Sequence, residues 1–395
     1  MISILFVDDE VNILEGIRNS LRKRLNLWDV EFAESGQDAL IKLAAKKFDI
    51  IVSDMRMPGM DGATLLSKVQ DIYPEMTRII LTGQADRESM LRAIPVTHQF
   101  LCKPISPQDL LAFLDRVCAF YSRIQSDNVR HLVGSIKSIP TRPKTAMKIS
   151  GFLATGEPSL KDLGMLIEED PGLCARIIQV ANSAFCGRSR EVTSISVAIS
   201  TLGIEFVQAL AIANEVFATT PANRHLMPLI EATYDKAFRG GYLAVKFLQN
   251  HPESGFAMTS LLLRDIGLII TATANRSVCD LTLVGQGIDG ESLVDLEFKV
   301  FGLTHAEVGG HLLALWGMPM KIVEAVTCHH TIGDSTLDPL VMAAIHVADV
   351  ATSHHSMTRE SLVAKLNWEF IERHQLTEKV NEWLDIAVGQ QMEAA

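Results

Sequence analysis

The sequence predicts a doubly wound α/β domain of five parallel strands followed by an all-α domain. Three observations carry this. Short apolar runs alternate with amphipathic stretches from Met1 to about Tyr121, and beyond Pro140 the periodicity is helical almost throughout. At 395 residues, the chain also exceeds the size at which one core usually stops growing. A hydrophobic share of 48% with only 6% aromatic residues favours helices built on Leu, Ile, Val, Ala and Met over a β-sandwich.

The strand signals are Ile4–Val7, Val30–Ala33, Ile50–Ser53, Arg78–Thr82 and Gln99–Cys102, short and apolar as strands covered on both faces must be. Helical spacing fills the intervals: Ile13–Leu25, Asp38–Lys46, Leu65–Ile72, Arg87–Ile94 and Pro107–Tyr121. Ser122–Arg130 is polar and suits an extension of the last helix, and Pro140 and Pro143 then punctuate the chain. A first domain is therefore expected at 1–121, a helical connector at 122–138 and a second domain at 139–395. Within the second, Ser159 reads as a helix cap ahead of Leu160–Glu169 and Asp170-Pro171-Gly172 as a break.

A formal charge of −11 argues against broad affinity for nucleic acid, because that affinity rests on Lys and Arg displacing counterions from phosphates. The six cysteines, Cys102, Cys118, Cys174, Cys186, Cys279 and Cys328, show no C-x-x-C spacing and read as reduced structural thiols. The apolar start ends in Asp8-Asp9-Glu10 and is too short for a secretion signal. Ser260–Ala274 is interrupted by Arg264 and Asp265, short of the roughly 18 clean residues that cross a bilayer. A cytoplasmic protein with no membrane contact is expected.

In a doubly wound sheet, ligands bind beyond the carboxyl ends of the strands. Asp8 and Asp9 follow the first strand, Asp54 follows the third, Thr82 ends the fourth and Lys103 the fifth. Converging carboxylates repel one another, and hard oxygen ligands of this kind suit Mg²⁺. Asp54 is then placed as a nucleophile toward a phosphoryl group, with Lys103 and the Thr82 hydroxyl holding its oxygens. An acidic pair alone usually marks a solvated loop, and it is the four features on successive strand ends that carry weight.

Val7-Asp8-Asp9-Glu10, the run from Ser53 to Gly62, Leu81-Thr82-Gly83 and Phe100-Leu101-Cys102-Lys103-Pro104 together resemble the response-regulator receiver domains over about Ile2–Tyr121. The resemblance implies that Asp54 is phosphorylated from a sensor histidine kinase or a phosphotransfer protein. It also implies that Asp8, Asp9, Asp54 and the backbone carbonyl of Arg56 bind Mg²⁺, that Thr82 and Phe100 move together as a switch, and that a homodimer is open to the chain.

From about His131 the chain resembles the HDOD family, a branch of the HD superfamily. Ile139-Pro140-Thr141-Arg142-Pro143, Ile167–Leu173, Ala181–Phe185, Thr201–Ile204, Leu262–Gly267, Thr304–Gly309 and Trp316–Pro319 carry the likeness. Where an HD phosphohydrolase has His-Asp this chain has Arg264-Asp265, and the earlier histidine position falls on Lys236. Two fixed cations there repel a divalent ion by several kcal/mol even at an effective dielectric near 20. The centre formed by Lys236, Arg264, Asp265, His305, His329, His330 and Asp349 is therefore expected to be metal-free, with Asp265 and Asp349 neutralised by Arg264 or Lys236. His329 and His330 are adjacent, so on a helix they would not face one site.

No Gly-Tyr-Pro segment follows His329-His330, which disfavours a cyclic-di-GMP phosphodiesterase. The expected output is a non-catalytic module that binds a downstream signalling protein. The alternatives are a nucleotide sensor in the old pocket or a residual HD-type phosphohydrolase.

Overall fold

The computed structural model describes residues 1–394 except 23, 25–26, 84–86, 124–126, 137–138, 141, 143–144, 154–158, 183–190, 219–225, 275–292 and 354–357. Five parallel strands, β1 (Ile2–Val7), β2 (Trp28–Ala33), β3 (Ile50–Asp54), β4 (Thr77–Gly83) and β5 (Gln99–Lys103), form one sheet in the order β2-β1-β3-β4-β5. Helices α1 (Val11–Leu21), α2 (Gly36–Ala45), α3 (Gly62–Ile72), α4 (Arg87–Ala93) and α5 (Pro107–Arg123) alternate with the strands. The expected α/β architecture is therefore present; α1 ends at Leu21, and its expected end, Leu25, lies outside the described residues.

Local chemistry sets these elements. Ser35 caps α2 by accepting from Asp38 N–H, and Asp61 caps α3 by accepting from Thr64 N–H. Ile4, Phe6, Ile50, Val52, Ile79 and Leu81 build one sheet face, packed with Leu110, Phe113, Leu114 and Val117 of α5. The strand order reverses between β1 and β3, so a crevice opens at the carboxyl ends of these two strands.

After α5 the chain is helical: α6 (Asp127–Gly134), α7 (Thr145–Leu153), α8 (Leu160–Glu168), α9 (Pro171–Asn182), α10 (Ile195–Leu202), α11 (Ile204–Ala218), α12 (Met227–Phe247), α13 (Ser254–Leu263) and α14 (Ile266–Ala274). Then follow α15 (Leu293–Phe301), α16 (His305–Leu315), α17 (Met320–Thr327), α18 (Pro339–Thr352), α19 (Arg359–Val363), α20 (Trp368–Arg373) and α21 (Thr377–Ala394). Ser159 caps α8 as expected, through Lys161 and Asp162 N–H. The stretch read as a connector, 122–138, takes in the end of α5 and α6, with residues 124–126 and 137–138 outside the described ones.

The chain forms two compact units. One holds Met1–Ser138 with Gln179–Glu191 and His311–Met318, and the other holds Ile139–Ile178, Val192–Gly310 and Pro319–Ala395. In the second unit α12 packs along α13 and α18. Gly240 of α12 makes room for Arg264, since a Cβ there would lie 2.6 Å from the guanidinium.

By length and composition the 20 residues Ser254–Thr273 would cross a bilayer despite Arg264 and Asp265, but 94% of that window is buried inside the protein, as in a core helix. Cys102, Cys118 and Cys174 are buried and Cys328 is half-buried, and Cys186 and Cys279 lie outside the described residues.

Candidate functional site

The expected residues of the first unit meet at the carboxyl end of the sheet. Asp8 and Asp54 are buried, and Asp9 is exposed at the rim. Lys103 Nζ lies 2.7 Å from the Asp8 carboxylate and also contacts that of Asp54, so one ammonium bridges both. Arg56 N–H donates to Asp54 Oδ2 at 2.6 Å, and Glu10 N–H to Asp8 Oδ1 at 3.0 Å. Gly62 lets the following loop close in, because a Cβ there would stand 2.2 Å from the Asp54 carbonyl oxygen.

Burial raises the Asp54 pKa, and Lys103 and the Arg56 N–H only partly offset it. Burial pulls Lys103 down, but its hydrogen bonds to Asp54 and Asp8 outweigh that and leave it raised. Thr82 and Phe100 are both buried, on the neighbouring strands β4 and β5. Asp8, Asp9 and Asp54 offer the hard carboxylate oxygens that a small divalent cation takes, and the half-buried Lys103 ammonium bridging Asp8 and Asp54 already places positive charge in this crevice.

In the second unit all seven expected residues converge. Asp265 Oδ2 lies 3.1 Å from Lys236 Nζ and 3.2 Å from Arg264 Nε, while Asp349 Oδ1 lies 3.0 Å from Arg264 Nε and 3.7 Å from Lys236 Nζ. Despite full burial, Lys236 and Arg264 hold Asp265 well below the ordinary carboxylate range, and Arg264 and Lys236 do the same for Asp349. The expected neutralisation of both acids by Arg264 and Lys236 is thus present as two acids interleaved with two cations.

The histidines occupy the other side. His305 Nε2 lies 3.6 Å from Asp265 and 3.0 Å from His330 Nε2. Burial depresses His305, but its hydrogen bond to the Glu297 carboxylate overcomes that and leaves the pKa raised. Burial and neighbouring imidazoles hold His329 down at about 3 and His330 at about 4. One expectation is corrected: His329 and His330 both reach the centre. Helix α17 ends at Thr327 with Cys328 as its cap, so the pair lies on a turn, where adjacent side chains are free to converge.

The sequence reading missed Glu297. Wholly buried on α15, it accepts from His305 N–H at 2.9 Å and pairs with His305 Nδ1 at 2.7 Å. Its signal was an acid at the i+4 position between Leu293 and Phe301, on a face that otherwise packs into the core. His329 Nδ1 pairs with the Val326 carbonyl at 2.6 Å, which fixes the tautomer and leaves Nε2 buried with no hydrogen-bond partner among the described residues. Atoms of His305, His329 and His330 suited to a metal lie within 4.8 Å of one another.

Residues 4–115 match the response regulator receiver domain family and residues 139–332 the HDOD domain family. The chain carries a domain of each of these families. Its two recognised parts are a receiver domain and, after it, an HDOD domain.

The uncharacterized transcriptional regulatory protein YesN of Bacillus subtilis is 32% identical over 31% of this chain and 34% of its own length. The DNA-binding transcriptional regulator NtrC of Escherichia coli is 25% identical over 48% of this chain and 40% of its own. The chain thus spans well under half the length of either relative. Among solved structures, a virulence factor from Campylobacter jejuni aligns with a TM-score of 0.52 at 17% identity, covering 67% of this chain and 99% of that one, a likeness of fold. The MmoQ response regulator of Methylococcus capsulatus aligns at 24% identity over 57% of this chain and 92% of that one, with a TM-score of 0.45.

Proposed function

We propose that this protein is a phosphorylation-dependent regulator in which Asp54 accepts a phosphoryl group from a sensor histidine kinase or a phosphotransfer protein, and the HDOD domain is a non-catalytic output that binds a downstream signalling protein. The observation that carries the first half is Lys103 held between Asp8 and Asp54, a fixed positive charge where phosphoryl oxygens would arrive.

A carboxylate oxygen of Asp54 attacks phosphorus, an acyl phosphate forms, and the bond to the donor's histidine nitrogen breaks. Mg²⁺, held by Asp8, Asp9, Asp54 and the Arg56 carbonyl, would supply charge neutralisation of the phosphoryl oxygens. The Thr82 hydroxyl donates to one of those oxygens and Phe100 shifts with it, as a two-state element.

For the output domain the support is electrostatic. Lys236 and Arg264 offset Asp265 and Asp349 one for one, and Glu297 is matched by His305, so among the described residues of this centre each acid already has a cation or imidazole beside it. The formal charge of −11 favours a protein partner over nucleic acid, and a cytoplasmic location accords with reduced thiols and receiver chemistry. Pairing of two receivers into a homodimer is compatible with this scheme.

A second reading, a residual HD-type phosphohydrolase or a nucleotide sensor, is favoured by one observation: the unpartnered, buried His329 Nε2 beside His305 and His330.

The test is elemental analysis of purified full chain, with His305→Ala as control, together with capture of partners by phosphorylated and unphosphorylated protein. The proposal expects no stoichiometric metal from the HDOD domain and partner capture that depends on phosphorylation. Stoichiometric zinc, iron or manganese that disappears in His305→Ala would establish the second reading in its place.

A further inference from the structure

We infer that α6 is a sixth helix of the receiver, latched to the base of its sheet by Arg78, and that this latch reports the state of the Thr82–Phe100 pair. The second half rests on the switch proposed above, while the first stands on geometry alone.

Arg78, the second residue of β4, is wholly buried and meets no carboxylate at hydrogen-bond distance among the described contacts. Its guanidinium instead collects carbonyls. Nε donates to Val96 O at 2.8 Å, Nη1 to Pro74 O and Met76 O at 3.1 Å each, and Nη2 to Gly134 O at 2.8 Å. The last contact is the telling one. Gly134 is the final residue of α6, and its carbonyl is one of those a helix end leaves without an intrahelical partner. A buried cation at that end satisfies the carbonyl and complements the helix dipole, in surroundings of low dielectric.

The rest of α6 is seated to match. Val129 and Val133 are buried, and Arg130 lies 4.4 Å over the Tyr121 ring. Tyr121 in turn donates to Asp49 Oδ1 at 2.8 Å. A Cβ on Gly134 would stand 1.9 Å from the Pro74 carbonyl oxygen, so only glycine permits this approach. An isolated helix of eight residues has no independent stability in water, so α6 owes its order to this seat.

The latch and the proposed switch share two strands. Arg78 precedes Thr82 by four positions on β4, about 13 Å of extended chain. His98, whose Nε2 lies 2.8 Å from Arg78 Nη2 and whose N–H donates to Arg78 O, precedes Phe100 by two on the chain entering β5. Phe100 is in turn paired in register with Ile80. A shift of Thr82 and Phe100 is therefore borne by the same segments that hold the guanidinium.

Hydrogen exchange on the full chain tests both halves. Without ligand, peptides covering 127–134 should be protected, and in Gly134→Ala or Arg78→Lys they should exchange about tenfold faster while β1 and β3 stay unchanged. If Arg78→Lys fails to fold, Gly134→Ala alone decides. Fast exchange in the wild type, or no change in Gly134→Ala, overturns the latch.

With Mg²⁺ and beryllofluoride, protection should change at Thr82 and Phe100 and also in 127–134, and the second change should vanish in Gly134→Ala. A response at Thr82 and Phe100 that never reaches 127–134 overturns the reporting role. No response at Thr82 or Phe100 sinks the proposed switch, and the reporting role with it, while the ligand-free comparison still judges the latch.

Discussion

Arg264 Nε lies 3.0 Å from the Asp349 carboxylate, with the guanidinium wholly buried. A charge taken out of water there is tolerable only while its partners remain, and truncating it leaves Lys236 as the one fixed cation beside Asp265 and Asp349 among the described residues. Arg264→Gln is expected to destabilise the HDOD domain by about 3–5 kcal/mol. Lys236→Gln should cost less, because the Lys236 side chain keeps 26% of its exposure to solvent. Urea unfolding of both variants checks the order, and equal losses would mean that the two cations are interchangeable.

Asp54→Asn should abolish labelling of the receiver. Asp54 is the carboxylate contacted both by Lys103 Nζ and by the Arg56 N–H, and an amide at that position has no nucleophilic oxygen to offer. Incubation with acetyl phosphate and Mg²⁺, read by intact mass, measures this directly. Gain of a phosphoryl group at the wild-type rate in the variant would place the acceptor elsewhere.

The receiver's fold and acidic crevice are legible from sequence because each part lies in a short contiguous run: Asp8 and Asp9 directly after an apolar strand, Asp54 after another, Lys103 ahead of Pro104. The centre of the HDOD domain is legible only in its membership. Its geometry depends on where α17 stops, and nothing in Val326-Thr327-Cys328 announces that the helix ends before His329. Glu297 and Arg78 escape for a related reason. A charged side chain amid apolar neighbours reads as a solvated edge, and its burial depends on partners 8 residues away for Glu297 and 56 for Arg78.

Gly267 follows Asp265 by two residues at the start of α14, and a Cβ on it would stand 1.9 Å from the His305 carbonyl oxygen and 2.5 Å from Gly309 N. Both contacts are backbone, so α14 and α16 must separate if Gly267 becomes alanine. A loss of about 1–3 kcal/mol is expected, as for overpacking in general. Gly309→Ala, whose Cβ would meet Gly267 N at 3.1 Å, should be milder. Thermal unfolding of the two variants tests the ranking, which fails if Gly309→Ala is the more damaging.

Acidification from pH 7 toward 5 should strengthen the HDOD domain through Asp170. This carboxyl is wholly buried ahead of α9, where it accepts from Leu173 N–H at 3.0 Å, Arg142 N–H at 2.8 Å and the Thr145 hydroxyl at 2.8 Å. Burial nonetheless pushes its pKa up to about 6 from an ordinary 3.8. Since the folded value lies above the unfolded one, the stabilisation is complete below 3.8 and is lost as pH rises through about 6, to a total of about 3 kcal/mol. Glu168, raised by burial to about 7, acts in the same sense, whereas His329 and His330, held neutral at about 3 and about 4, act in the opposite one. The raw pH profile therefore mixes signs, and the comparison must be with Asp170→Asn, which lacks this one titration. Urea midpoints of both proteins at pH 5 and pH 7 should show the wild type gaining on the variant at the lower pH. A difference between them that stays constant would mean that Asp170 titrates as it does in the unfolded chain.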